Sequence, residues 1–366
     1  MGRLHDLYDQ QGQSPWLDNL RRGWIASGEL QEWIDRGVRG LTSNPSIFAA
    51  AMMQTDDYDA ELSELATAGT SIEDAYWQLV VGDIRQALEL LRPVHDASGG
   101  EDGYVSVEVS PDLAHDEAGT ITAARELDNR IEAPNVYIKV PATAEGVPAI
   151  KTLISEARSI NVTLIFSLDR YRDVMEAYIA GLEAADVDDL SSISSVASFF
   201  ISRVDVEVDR RLTEIGTEHA LSLRGKAAVA QAHLAYQQFL ETFSGPRWEA
   251  LAAKGARVQR PLWASTSTKD PSYPDTLYVD TLIGPDTVNT LPDGTLLAFD
   301  DHGTVARTID ADPEQAQVVV ADLAALGIDL EEVAIKLEAE GVGSFSKAFA
   351  DVLSTLGERA AEMVKS

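Results

Sequence analysis

Short runs rich in β-branched residues alternate along the chain with longer segments of helical periodicity. This alternation predicts parallel strands joined by helical crossovers. The predicted strands cover residues 14–18, 39–43, 104–109, 135–140, 161–166, 196–201, 260–265 and 276–283. Clear helical patterns, with apolar residues three and four positions apart, cover residues 72–91, 146–157 and 223–243. Eight strand–helix repeats predict an α/β protein with a (β/α)8 TIM barrel.

The chain is longer than this barrel requires. It has 366 residues, whereas the barrel typically needs about 250. The surplus falls in residues 45–103 and 204–259, which we interpret as helical insertions, and in a helical tail. We therefore expect one domain over residues 1–366, with the barrel core at about 14–311 and a C-terminal helical extension at about 312–366.

Glycines suggest how the tail is divided. Gly327 and Gly341 are expected to separate its helical segments, and Asp329 is a good N-cap for one of them. The last helix is predicted over residues 346–364. Its place after the eighth strand leads us to expect it near the mouth of the barrel.

Composition narrows the function classes. The 60 acidic and 29 basic side chains give a net charge of −31, which repels nucleic acid and anionic membrane surfaces. The absence of cysteine excludes disulfides, thiol catalysis and cysteine-ligated metals. The six histidines have no metal-binding spacing and no glycine-rich nucleotide motif is present, so we expect no metal and no cofactor. Without a secretory signal or an apolar membrane span, we expect a cytoplasmic protein.

Polar side chains occur where the strands of a parallel barrel, covered on both faces, should be apolar. The period-two alternation of a strand places Glu108, Lys139, Asn161 and Thr163 on faces that fill the barrel interior. A carboxylate and an ammonium are costly there unless they are paired. Glu108 and Lys139 lie near the carboxyl ends of their strands, where the active sites of this fold are found.

Lys139 is the most informative of these residues. Pro141 marks the exit of its strand, so the lysine is expected at the barrel mouth. From the residues alone, both an ion-paired lysine and a reactive amine remain open. A free amine attacks a carbonyl to form a Schiff base, and that chemistry needs neighbouring groups to move protons. Glu108 and Asp18, at the ends of other strands, are candidates.

Several motifs follow one another in a recognisable order. They are LTSNPSIF (41–48), VSVEVSP (105–111), NVYIKVPAT (135–143), INVTLIFS (160–167) and SFFISR (198–203). Together with WLDNL (16–20), they resemble the transaldolase family in its longer bacterial form. The similarity continues more loosely through LWASTSTKD (262–270) and LIGPDTVNTLP (282–292). It implies transfer of a dihydroxyacetone unit from sedoheptulose 7-phosphate to glyceraldehyde 3-phosphate in the non-oxidative pentose phosphate pathway.

The resemblance implies catalytic roles for four residues. Lys139 matches the Schiff-base lysine. Glu108 matches the acid/base carboxylate, which works through a water that the residue matching Thr163 also holds. Asp18 matches the aspartate that takes the C4 hydroxyl proton. The alternatives are that Glu108 is only an ion-pair partner of Lys139, and that Asp18 only closes a turn.

Substrate-binding roles follow in the same way. Asn44 and Asn161 match asparagines that bind substrate hydroxyls and the three-carbon intermediate, and Ser198 matches a serine that contacts the dihydroxyacetone unit. Asn44 precedes Pro45, so its alternative is an ordinary turn residue.

The phosphate-binding residues depart from the family pattern. Arg203 matches the family's phosphate-binding arginine, although Ser202 stands where the better-known members have glycine. Its alternative is a surface salt bridge with Asp205 or Glu207. A second family arginine is missing, and we expect Lys269 to replace it unless Lys269 is only an exposed loop residue.

Two other functions remain open. A fructose 6-phosphate aldolase would use the same Schiff base and release free dihydroxyacetone, but those shorter relatives have glutamine at the position of Glu108. A sugar-phosphate-binding barrel without turnover is the other possibility, although Lys139, Glu108 and Asp18 are all present. Sugar phosphates are the expected partners, and the sequence leaves monomer and homodimer open.

Overall fold

Eight parallel strands form a closed barrel in the computed structural model, which describes residues 2–364. Each strand pairs with its neighbours in the sequence, and the last pairs with the first. The strands are β1 Gln13–Leu17, β2 Leu41–Thr42, β3 Val105–Glu108, β4 Val136–Pro141, β5 Ile160–Ile165, β6 Ser195–Phe200, β7 Arg260–Ala264 and β8 Thr287–Leu291. The predicted TIM barrel is confirmed.

Helices surround the barrel, and a 3-10 turn at Pro111–Leu113 follows β3. They are α1 Arg3–Gln11, α2 Arg22–Ser27, α3 Glu29–Asp35, α4 Pro45–Gln54, α5 Asp59–Thr67, α6 Ile72–Ala97, α7 Glu117–Ile131, α8 Gly146–Ser155, α9 Leu168–Ala184, α10 Ser202–Ile215, α11 Glu218–Ser222, α12 Ala227–Thr242, α13 Gly245–Ala252, α14 Leu277–Asp280, α15 Asp293–His302, α16 Pro313–Ala325 and α17 Leu330–Met363. The surplus after β2 forms three helices, and that after β6 forms four. In residues 2–364, no helix is long and apolar enough to cross a membrane.

The position of the eighth strand was predicted wrongly. Residues 276–283 form the short helix α14 and a turn, whereas β8 begins at Thr287 and pairs with the whole of β1. The pattern of β8 is hidden by Asn289 at its centre. That side chain is satisfied by Thr266 and by the carbonyl of Tyr278. These partners lie outside the strand, so its local pattern does not reveal them.

The tail also differs from its predicted division. Asp329 caps α17, and its carboxylate accepts from the N–H of Glu331 at 2.9 Å, as expected. Gly341, however, lies inside this continuous 34-residue helix. A Cβ at Gly341 would lie 3.0 Å from Leu164 of β5 and 3.6 Å from the guanidinium of Arg203. The glycine therefore lets α17 approach the barrel closely instead of ending a helix.

A buried ionic cluster lies at the N-terminal end of the strands. The carboxylate of Asp102 accepts hydrogen bonds from Ser14, Trp16, Arg39 and Arg260, at 2.7 to 3.1 Å. Burial opposes the charge of Asp102, but Arg260 and Arg39 hold its pKa below the ordinary value. The Asp102 carboxylate at this end of the barrel is therefore fully hydrogen-bonded.

Candidate active site

A cavity of about 350 Å³ lies at the carboxyl ends of the strands. Of the nine residues predicted for the site, six line it: Asp18, Asn44, Lys139, Ser198, Arg203 and Lys269. The other three, Glu108, Asn161 and Thr163, are buried in the strands. The structure thus brings the predicted lysine, one carboxylate and both predicted phosphate-binding cations to one cavity.

Lys139 and Glu108 are direct neighbours in the barrel. Their residues pair across β4 and β3, and Nζ of Lys139 lies 3.4 Å from Oε2 of Glu108. Nζ also donates to the carbonyl of Ser43, at 3.3 Å. Only 4% of Lys139 and 5% of Glu108 is exposed. Burial raises the pKa of Glu108, and the charge of Lys139 is the largest effect that opposes this rise.

Two buried oxygens near this pair have unused hydrogen-bonding capacity. Apart from the 3.4 Å ion pair of Oε2 with Lys139, Oε2 of Glu108 and Oγ1 of Thr163 have no hydrogen-bond partner in the part of the chain that the structure describes. Thr163 pairs across the strands with Pro141, two residues after Lys139. Unpaired polar atoms are rare in protein interiors and favour a role in binding or proton transfer.

A hydrogen-bonded chain fixes Asn161 and Ser198. Oγ of Ser198 donates to Oδ1 of Asn161 at 2.7 Å, and Nδ2 of Asn161 donates to Oγ of Ser106 at 2.9 Å. Because these bonds orient the amide, Ser198 lies at a defined position at the cavity wall.

Asp18 follows β1 at the cavity. Its Oδ1 accepts a 2.8 Å hydrogen bond from Oγ1 of Thr42, which also lies 2.7 Å from Oγ1 of Thr290. Burial raises the pKa of Asp18, although the nearby Lys139 charge opposes this effect most strongly. The side chain therefore contacts the neighbouring strand β2 and lines the cavity.

Asn44 is a helix cap at the edge of the cavity. Its Oδ1 accepts a 3.0 Å hydrogen bond from the N–H of Ile47 and so caps α4, with Pro45 at the first helical position. The same residue lines the cavity. The cap fixes Asn44 at the cavity edge and leaves its amide N–H groups available to a ligand.

Arg203 does not form the salt bridges considered for it. Asp205 accepts hydrogen bonds from Tyr278 and from the N–H of Ala228, and Glu207 pairs with other basic residues of α10 and α17. The guanidinium of Arg203 instead faces the cavity at the first turn of α10. It therefore keeps its charge available for an anion.

Lys269 adds a second positive charge to the same cavity. Its Nζ donates to Oγ of Ser267 at 2.5 Å. Neither Lys269 nor Arg203 forms a salt bridge within residues 2–364, where most other arginines do. Burial and, next, the charge of Arg203 lower the pKa of Lys269, while Asp18 opposes this shift. Two cations that disfavour each other's charge are suited to share an anionic ligand.

Some lining residues escaped prediction. Thr42 lies within a predicted strand, so the sequence contained a signal for it, whereas Thr290 lies on β8, which was not predicted. Phe345 of α17 also lines the cavity, and its ring centroid lies 6.0 Å from the guanidinium carbon of Arg203. No local pattern signals Phe345, because it is far from the other site residues in the sequence.

Comparisons with known proteins agree with this geometry. The family model for transaldolase/fructose-6-phosphate aldolase matches residues 15–356. The chain is 51% identical over 357 residues to transaldolase 1 of Streptomyces avermitilis, covering 96% of this chain and 94% of that protein. It is 50% identical over 365 residues to the transaldolase of Thermobifida fusca, covering 99% of each chain. The chain therefore belongs to the transaldolase/fructose-6-phosphate aldolase family.

Proposed function

We propose that this protein is a transaldolase. It transfers a dihydroxyacetone unit reversibly from sedoheptulose 7-phosphate to glyceraldehyde 3-phosphate, giving erythrose 4-phosphate and fructose 6-phosphate. The observation that carries the proposal is the buried Lys139, which lies 3.4 Å from the carboxylate of Glu108 in a cavity with two cations that have no salt-bridge partner among residues 2–364. An amine, a proton-transfer group and a phosphate site are the parts that this reaction needs.

The reaction begins at Lys139. Its neutral amine adds to the C2 carbonyl of the ketose phosphate to give a carbinolamine, which loses water to form an iminium ion. Glu108 gives and takes the protons of this dehydration, directly or through a water held with Thr163. The unused hydrogen-bonding capacity of Oε2 and Oγ1 supports that pathway. The raised pKa of Glu108 suits a group that must both hold and release a proton.

Cleavage of the C3–C4 bond follows at Asp18. Its carboxylate takes the proton of the C4 hydroxyl, the C3–C4 bond breaks, and the bonding electrons flow into the iminium to give an enamine on Lys139. The aldose phosphate leaves. Burial raises the pKa of Asp18 and makes it a stronger base, while the hydrogen bond from Thr42 orients it. The iminium is the electron sink, so the mechanism requires no metal and no cofactor.

The enamine must survive until the acceptor aldehyde arrives. Asn44, Asn161 and Ser198 hold its hydroxyl groups, an assignment that the Ser198–Asn161 hydrogen bond supports. Arg203 and Lys269 hold the phosphate of the departing and the arriving sugar. The same steps in reverse then join C3 of the enamine to the acceptor aldehyde, and hydrolysis frees Lys139.

Further expectations complete the proposal. Its partners are sugar phosphates, and its net charge of −31 disfavours nucleic acid and membrane surfaces. We place the enzyme in the cytoplasm, because its substrates are charged molecules that do not cross a bilayer unaided. It acts as a monomer or homodimer.

Trapping the intermediate tests the proposal. Borohydride reduction in the presence of fructose 6-phosphate should attach one three-carbon or six-carbon adduct to Lys139, located by mass spectrometry. Lys139→Met should abolish the adduct. Lys151→Met, which changes an exposed lysine of α8, should leave trapping intact. An adduct at another residue, or none, would contradict the mechanism and favour a binding barrel.

Turnover separates transfer from release. With erythrose 4-phosphate as acceptor, the wild type should make sedoheptulose 7-phosphate from fructose 6-phosphate. Without acceptor, it should release little free dihydroxyacetone. Substantial release without acceptor would instead identify a fructose 6-phosphate aldolase, the other activity named in the family description.

A further inference from the structure

Lys269 lies in the loop of residues 265–276, between β7 and α14. Hydrogen bonds connect this loop to α10, the helix that carries Arg203. Oη of Tyr273, four residues after Lys269, donates a 2.6 Å hydrogen bond to Oδ2 of Asp209 on α10. The other oxygen of Asp209 accepts from the N–H of Gly225, at 2.9 Å. Asp209 is buried and both of its oxygens are occupied. The distance between the loop and α10 is therefore set at this point.

Two further contacts hold the same loop. Near its start, Oγ of Ser265 lies 2.8 Å from Oγ of Ser202, the first residue of α10. Just after its end, Oη of Tyr278 donates at 2.7 Å to the buried carboxylate of Asp205. Three successive anchors thus connect the loop to one helix. That helix begins beside Arg203.

Lys269 itself is not anchored. Its only hydrogen bond is to Ser267 in the same loop, and it has no carboxylate partner in the described part of the chain. A lysine has a flexible stem, so the place of its Nζ relative to Arg203 depends on where the loop backbone lies. Asp270, the next residue, pairs with the half-buried Arg224 at 2.7 Å, and this contact does not involve α10. The nearest contact after Lys269 that joins the loop to α10 is the Tyr273 hydroxyl on Asp209.

We propose that Tyr273 and Asp209 are positioning residues, which hold the loop so that Lys269 and Arg203 bind one phosphate group together. The inference rests on the proposed function, because it requires a phosphorylated substrate. Without the Tyr273 hydroxyl, the loop must be ordered when phosphate binds, and that ordering weakens binding. The effect should fall on KM, because Tyr273 is not among the residues that contact the reacting carbons in the proposed mechanism.

The test compares Tyr273→Phe with Tyr236→Phe. The control removes the hydroxyl of Tyr236, which lies on α12 and donates a 3.1 Å hydrogen bond to the carbonyl of Pro285. Tyr273→Phe should raise the KM for fructose 6-phosphate about tenfold, the scale of one lost hydrogen bond to a charged group, and keep kcat within about twofold. Thermal protection by inorganic phosphate should require about tenfold more phosphate than in the wild type. The control should show neither change.

A double-mutant cycle identifies the route of the effect. In a Lys269→Met background, Tyr273→Phe should raise KM little further, because the hydroxyl acts through Lys269. Asp209→Asn is the second variant, should Tyr273→Phe fail to fold, and should show the same KM increase.

The possible results distinguish failure of this inference from failure of the proposed function. The inference is wrong if Tyr273→Phe has the same KM as the control or lowers kcat with KM unchanged. It is also wrong if Tyr273→Phe still raises KM about tenfold in the Lys269→Met background. A wild-type protein that forms no Lys139 adduct instead refutes the proposed function and, with it, the need for a phosphate site. A wild type that traps normally beside an unaffected Tyr273→Phe refutes the positioning role alone.

Discussion

Removing the charge of Lys139 should raise the pKa of Glu108. Lys139→Met replaces the ammonium with an apolar side chain of similar length. Two unit charges 3.4 Å apart attract by about 5 kcal/mol at an effective dielectric constant of about 20. This attraction is the largest effect that opposes the burial-driven rise in the pKa of Glu108. In the variant, the carboxyl should therefore hold its proton to a higher pH.

The sign of the stability change follows from proton binding. In the variant, the folded state keeps a proton on Glu108 that the unfolded chain has already lost above its ordinary pKa of about 4.3. Stability then falls as pH rises from that value through the pKa of the folded state. Relative to the wild type, Lys139→Met should therefore lose stability between pH 5 and pH 8, with a contribution from Glu108 of at most about 4 kcal/mol, the limit for one proton over three pH units.

Urea unfolding at both pH values measures this difference. Carbon-13 NMR of the glutamate carboxyl groups should show one group, absent in a Glu108→Gln/Lys139→Met double variant, that titrates at higher pH than in the wild type. Lys151→Met is the control and should show no pH-dependent difference. A free-energy difference between Lys139→Met and the wild type that is equal at pH 5 and pH 8 would refute the coupling of Lys139 to Glu108.

Two further changes test the surroundings of the site. Burial raises the pKa of Asp205 from 3.8 to about 6, so its folded form binds a proton that the unfolded form releases. Asp205→Asn should gain about 3 kcal/mol relative to the wild type between pH 4 and pH 7, measured by urea unfolding, and a pH-independent difference would contradict this. Phe345→Leu should raise the KM for fructose 6-phosphate several-fold by loosening Arg203. Phe239→Leu, at a buried position on α12, is the control and should lower stability with KM unchanged. Equal changes of KM in the two variants would show that Phe345 does not act on the phosphate site.

The part of the site that lies on consecutive strands could be predicted from the sequence. In a barrel of sequential parallel strands, β3, β4 and β5 must be adjacent, and period-two alternation fixes which side chains point inward. Glu108, Lys139 and Asn161 are therefore brought together by local pattern and topology. The roles assigned to them came from the family resemblance, which no local pattern supplies.

Contacts across long sequence separations could not be predicted. Gly341 looks like a helix breaker because glycine weakens a helix, but its lack of a side chain lets α17 approach Leu164 and Arg203. Phe345, one turn further along the same helix, lines the cavity. The prediction of β8 was wrong for a similar reason, because the hydrogen-bond partners of Asn289 come from other parts of the chain. In each case tertiary contact overrides the local signal.

The two ends of the barrel use buried carboxylates in opposite ways. Asp102 accepts four hydrogen bonds, two of them from arginines, and its pKa is held below the ordinary value. Glu108 has one ion-pair neighbour, Lys139, 3.4 Å from its Oε2, and that oxygen has no hydrogen-bond partner in residues 2–364; the pKa of Glu108 is raised. Burial acts on both carboxyl groups, and the difference comes mainly from the neighbouring charges: Arg260 and Arg39 both lower the pKa of Asp102, whereas only Lys139 lowers the pKa of Glu108 and Asp18 raises it. A saturated carboxylate is fixed as an ion and stabilises the fold, whereas an undersaturated one can exchange a proton.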